Sequence, residues 1–124
     1  MAAMTRRPTI EQVRDEPAGM QMDAWVAEYV MGLPNVHMCE GYLIHTQDSI
    51  QWNGAPVVDF YSTNITAAWR LVEKMQGFEL EYEHGGFSRA EVHYAGDEWR
   101  NAWAETAPLA ICRAALLAVL EEQP

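Results

Sequence analysis

The sequence predicts an α+β domain in which an antiparallel β-sheet is sandwiched between helices, an α-β-α arrangement with three main helices. Three observations predict it. Apolar side chains recur at helical spacing in two separate segments, residues 22–30 and 65–75. Residues 78–94 alternate apolar and polar about a Gly85-Gly86 turn, the pattern of a β-hairpin with one packed face. Residues 106–122 form a helix that is apolar on nearly every side. With 124 residues the chain is one domain, 1–124, of a size that buries roughly two-thirds of its unfolded surface.

The elements follow in order. Residues 1–16 are expected to be a peripheral segment, with a short helical turn at 9–13 whose Thr9 and Gln12 are spaced as a capping box. Asp15-Glu16-Pro17-Ala18-Gly19 is a loop signal. Met22, Trp25, Val26, Tyr29 and Val30 then mark the first main helix, with Gly32 as its C-cap and Pro34 just beyond. Residues 37–45 and 50–52 can pair as strands, and Asn53-Gly54 is a turn that makes 57–60 a further strand candidate. Ser62 or Thr63 caps the second main helix, whose apolar face is Ile65, Ala68, Trp69, Val72 and Met75; Gly77 stops it. In the hairpin, Phe78, Leu80 and Tyr82 share the packed face and Glu79, Glu81 and Glu83 the polar one, while Ala90, Val92 and Tyr94 alternate with Glu91 and His93. A strand at 98–104 follows.

The last helix has two apolar stripes. Leu109, Cys112, Leu116, Val119 and Leu120 make a core stripe, and Ala107, Ala110, Ala114 and Ala118 make a second one of small residues. Arg113 is the one charge between Ala107 and Leu120. Such a helix is buried on more than one side, so either a second layer of the same domain or another subunit covers the alanines. The expectation favours a homo-oligomer through the Ala107/Ala110/Ala114/Ala118 face.

Composition narrows function by exclusion. Hydrophobic residues are 49% and charged ones 21%, the balance of a folded chain. Eighteen acids against eight bases give a formal charge of −10, which argues against general DNA or RNA binding, since that rests on Lys and Arg neutralising phosphates. No apolar run reaches the ~18 residues that span a bilayer, so no membrane partner is expected. The N-terminus carries Arg6 and Arg7 but no following apolar stretch, unlike a secretory signal. Two well-separated cysteines, Cys39 and Cys112, make no disulfide framework and suggest a reducing cytoplasm.

Motifs for chemistry are sparse. The sequence contains no phosphate-binding GxxxxGK[ST] loop, dinucleotide glycine fingerprint, HExxH, CxxC pair or GxSxG elbow. His37, Cys39 and His45 share a strand face but lack an evident fourth ligand, so no metal and no cofactor is expected. The hairpin glutamates read as a solvated face rather than an acid/base pair, so no catalytic residue is assigned and the chain is expected not to be an enzyme. The same row of acids could also imitate a phosphate backbone. Trp99 and Trp103, four apart in a strand, would share a face with Asn101 between them and Arg100 opposite, a set suited to stacking a base and binding its edge or phosphate.

Three stretches carry a family resemblance: PAGMQMDAWVAEYVMG at 17–32, YSTNITAAWRLVEKM at 61–75 and ETAPLAICRAALLAVLEE at 105–122. Together they resemble the phage ABA sandwich domain, found in small proteins of phages and prophages. The resemblance implies the sandwich fold and a phage origin, hence the cytoplasm of an infected bacterium, and supplies no activity. The leading expectation is a non-enzymatic anti-defence protein that sequesters a small nucleotide-type host immune signal as a homo-oligomer. Its ligand-binding residues would be Tyr61, Ser62 and Thr63 at a helix N-terminus, Trp99, Arg100 and Trp103 as stacking and charge partners, and Arg113 where helices meet. The alternative is an acidic inhibitor that decoys a nucleic-acid site on a host defence protein.

Overall fold

The computed structural model describes residues 6–39, 41–45, 57–83 and 85–122. Helix α1 (Ile10–Asp15) opens with the predicted capping box: Thr9 Oγ1 accepts from the Gln12 amide at 3.1 Å, and the Thr9 amide donates to Gln12 Oε1 at 2.9 Å. Much of the described part of the segment, residues 6–16, is exposed, but it is anchored to the domain. Val13 is fully buried, α1 packs on the last helix, and Arg7 Nη2 donates to the Leu120 carbonyl at 2.6 Å.

Helix α2 (Met20–Trp25) runs on into a widened turn, Val26–Val30, where the Met31 amide bonds to the carbonyl of Val26, five residues back. The extra residue in that turn shifts the apolar stripe. Met22, Trp25 and Val26 are core as predicted, but Ala24 and Ala27 are buried too, and Tyr29 and Val30 only partly. Gly32, at φ 72°, ends the run in the left-handed region as a C-cap does.

The 37–45 segment folds on itself as a small antiparallel pair, β1 (His37–Cys39) with β2 (Tyr42–Ile44). The predicted strand at 50–52 and the Asn53-Gly54 turn lie outside the described residues. Of 57–60, Val57 makes a single bridge to Ile44, and the Val58 amide bonds to the Leu43 carbonyl. Helix α3 (Ile65–Val72) is capped by Asn64, whose side chain accepts from the Ala67 amide at 3.0 Å, not by Ser62 or Thr63. Its core face is also turned from the predicted one. Ala67, Ala68 and Leu71 are buried while Ile65 and Trp69 are about half exposed. Small residues at this contact let α3 approach the alanine-rich last helix closely, where an indole would hold the two apart.

The main sheet is antiparallel in the order β3-β4-β5, with β3 spanning Gly77–Glu83, β4 Phe87–His93 and β5 Arg100–Ala104. Its register sets Leu80, Ala90 and Ala102 in one row and Glu81, Arg89 and Trp103 in the next. The first row belongs to the face under the helices and the second to the opposite face. Helix α4 (Ala107–Glu122) lies against β4 and β5, and α1, α2 and α3 pack around it. Helical cover reaches β4 and β5 but touches β3 only at Phe78, where Trp69 of α3 meets it, so Leu80 and Tyr82, predicted as packed, are exposed on an edge strand.

Position at the centre explains the composition of α4. Every residue from Leu109 to Leu120 except Arg113 is buried. Of the predicted stripe, Ala110, Ala114 and Ala118 are covered within the single chain as a contact between layers of one domain, and Ala107 is half-buried. Among the described residues, no helix is long and apolar enough to cross a membrane.

Candidate functional site

Two edges bound the main sheet, and a pocket of about 330 Å³ opens at the β5 edge. It is lined by Arg14, Asn101, Ala102, Trp103 and Arg113. The fold brings these together from three elements. Val13 points into the core, which sets Arg14 in the last turn of α1 beside the sheet. Period-2 alternation in β5 buries Ala102 under α4 and leaves Asn101 and Trp103 on the open face, with Trp103 48% exposed. Arg113 leaves α4 at its one position between Leu109 and Leu120 that is not fully covered.

Two arginines line this pocket. Arg113 Nη1 donates to the Trp103 carbonyl and Nη2 to the Glu16 carbonyl, each at 2.8 Å. Its Nε is buried without a hydrogen-bond partner. Among the described residues Arg70, Arg89 and Arg100 enter ion pairs, whereas Arg14 and Arg113, like Arg6, Arg7 and Lys74, do not. Two guanidiniums without carboxylate partners thus line one pocket with Trp103 in a chain of formal charge −10. Guanidinium forks favour phosphate and carboxylate groups, an indole face takes a planar ring, and the Asn101 amide can donate and accept at a base edge. Above Trp103, on its strand neighbour, Arg89 stands 5.9 Å from the ring centroid while held by Glu81 and Glu91.

Of the residues predicted as ligand-binding, Trp103 and Arg113 meet here. The others do not join them. Tyr61 is 3% exposed and its phenol is pushed up to about 12, first by burial and then by Asp59. Ser62 is fully buried: its amide donates to Asp23 Oδ1 at 2.8 Å, and its Oγ accepts from the Gly19 amide at 2.9 Å. Both residues are interior joints between α2 and the entry to α3, with a carboxylate already on the amide that a phosphate would need. Thr63 is exposed and caps nothing. Trp99 lies just before β5 rather than within it. It stacks on His93, centroids 5.4 Å apart, and covers Gly77 so closely that a Cβ there would come within 2.7 Å of its ring. Arg100 is taken by Glu98, at 2.6 Å, and by Glu121.

Sequence reasoning did not assign Arg14 to a site. Followed directly by Asp15 and Glu16, it reads as a neutralised surface charge, and only the fold turns it toward Arg113. Among the described residues no group of three or more His, Cys, Asp or Glu is placed to hold a metal ion. Cys112 is buried in the core, and burial pushes its thiol well above the ordinary value, which makes it inert as a nucleophile.

The sequence profile of the phage ABA sandwich domain matches residues 24–116. Among solved structures, the crystal structure of a phage protein from Bacillus cereus ATCC 14579 is similar, with a TM-score of 0.63 and 24% identity over 84% of this chain and 92% of that one. At that identity the likeness is one of fold. No curated protein matches the chain.

Proposed function

The chain belongs to the phage ABA sandwich domain family, and from that premise we propose that it is a phage-encoded binding protein that sequesters a small nucleotide-type immune signal of the host, in the cytoplasm of the infected bacterium. The observation that supports this reading is the β5-edge pocket, where Arg14 and Arg113 carry uncompensated charge beside the half-exposed ring of Trp103. In an acidic protein, nucleotides are repelled from most of the surface, so two guanidiniums without carboxylate partners in one pocket favour an anion there. A phosphate between Arg14 and Arg113 would place an attached base within reach of Trp103 and Asn101.

Holding rather than converting the ligand follows from the lining. Arginine, asparagine and tryptophan neutralise, hydrogen-bond and stack; none of them is a nucleophile or titrates near neutral pH. The five lining residues all come from one chain. Titration calorimetry against cyclic dinucleotides and ADP-ribose-type molecules tests the proposal, and recovery of the intact ligand after denaturing the complex tests binding without turnover. Absence of binding across that panel would refute it.

A further inference from the structure

The opposite edge of the main sheet has a different chemistry. Strand β3 pairs with β4 in unbroken register, from Gly77 opposite His93 to Glu83 opposite Phe87, and among the described residues no strand pairs with its other side. Edge strands are commonly protected from further pairing by charged side chains, a proline or a bulge. β3 has no proline and no bulge, and its charges are all glutamates, which oppose an acidic strand but not a basic one. On the helix side of the sheet it presents Leu80, 41% exposed, and Tyr82, 78% exposed. That strip continues through Phe78 to Trp69 of α3, which meets Phe78 edge-to-face at 5.6 Å, with Ile65 one turn away. On the other side of the sheet β3 presents Glu79, Glu81 and Glu83. Arg89 takes up Glu81, while Glu79 and Glu83 enter no ion pair among the described residues.

An added strand must satisfy both faces. A second copy of this chain fails the charge condition. Antiparallel pairing of two β3 strands centred on Glu81 would set Glu81 against Glu81 and Glu79 against Glu83, and like charges directly opposite one another destabilise a sheet. A strand carrying Lys or Arg at every second position meets the unpaired Glu79 and Glu83, and apolar residues between them cover Leu80 and Tyr82. We infer that the edge of β3 left unpaired among the described residues is a docking site for an extended segment of another protein in which basic and apolar residues alternate, added as a fourth strand. The site lies across the sheet from the β5-edge pocket and does not depend on it.

A fluorescently labelled peptide of alternating lysine and valine, matched to β3 in length, provides the test with the full chain. Anisotropy should report binding that weakens several-fold between about 50 and about 300 mM salt. The Glu79→Lys, Glu83→Lys double variant should bind about tenfold more weakly. An alternating lysine–serine peptide should bind more weakly than lysine–valine, because it covers no apolar surface. Amide exchange should slow within residues 77–83 when the lysine–valine peptide is bound. Failure of the lysine–valine peptide to bind at low salt would overturn the inference. So would equal binding of the two peptides, full affinity in the charge-reversed variant, or unchanged exchange in β3.

Discussion

Arg113 Nη1 donates a 2.8 Å hydrogen bond to the carbonyl of Trp103, which ties the buried α4 to the outer edge of β5. The second nitrogen of the same guanidinium reaches the Glu16 carbonyl just after α1, so one side chain holds together the three elements that shape the pocket. Structure and binding are therefore mixed at Arg113 and separable at Arg14. Arg113→Ala should lower stability by about 1–3 kcal/mol, the range for hydrogen bonds to a charged group in a partly buried setting, and also abolish anion binding. Arg14→Ala should leave stability within about 0.5 kcal/mol while weakening binding. Urea unfolding and calorimetry on the two variants give the comparison.

Burial of the alanine stripe makes a second prediction. Ala114 is fully covered inside the chain, so Ala114→Leu forces a larger side chain between α4 and its neighbours. A loss of about 1–3 kcal/mol is expected in urea unfolding, with no change in the mass of the native particle by light scattering. A stable Ala114→Leu protein with altered oligomeric state would place the stripe at a subunit interface instead.

These positions show what was legible in the sequence. The Thr9–Gln12 box, the alternation on either side of Gly85-Gly86 and the all-round apolar character of 107–120 are local patterns, and each appears where its spacing put it. The orientation of α3 was not legible, because its stripe is wide enough to be turned either way and the small residues of α4 decide it. Nor was the exposure of Leu80 and Tyr82: alternation identifies a strand's two faces but not whether a helix reaches over it. Of the five lining residues, Trp103, Arg113 and Asn101 were visible in the sequence. Arg14 was hidden, since it comes from the other end of the chain and meets them only through the packing of α1 on α4.

The run Ser62-Thr63-Asn64 offers three residues that can cap a helix, and the structure assigns them different tasks. Asn64→Ala removes the acceptor for the Ala67 amide and should cost about 1 kcal/mol. Thr63→Ala should be close to neutral. Ser62→Ala leaves the Gly19 amide without its side-chain acceptor and should cost about 1–3 kcal/mol, although Ser62 lies outside the helix. Thermal or urea unfolding of the three variants separates the roles.

Asp23 gives the stability a pH dependence of defined sign. Burial raises its carboxyl above the ordinary 3.8, and the hydrogen bonds from Ser62 offset this only in part. The native state thus holds this proton more tightly than the unfolded chain. The contribution is complete below the unfolded value and is lost as pH rises through the raised native one. Asp23→Asn, which cannot ionise and keeps an oxygen for the Ser62 amide, should therefore gain stability relative to the parent as pH rises from about 4 toward neutrality. Parallel stability curves for the two proteins would show that Asp23 is not desolvated as the structure places it.

The most direct test of the binding account is a calorimetric titration of cyclic dinucleotides and ADP-ribose-type molecules into the full chain, repeated with Arg14→Ala and Trp103→Ala. The account predicts saturable binding of at least one of these ligands, weakened about tenfold or more by each substitution while the unfolding midpoint of Arg14→Ala stays at the parent value. No heat of binding from any ligand, or binding that both substitutions leave unchanged, would contradict it.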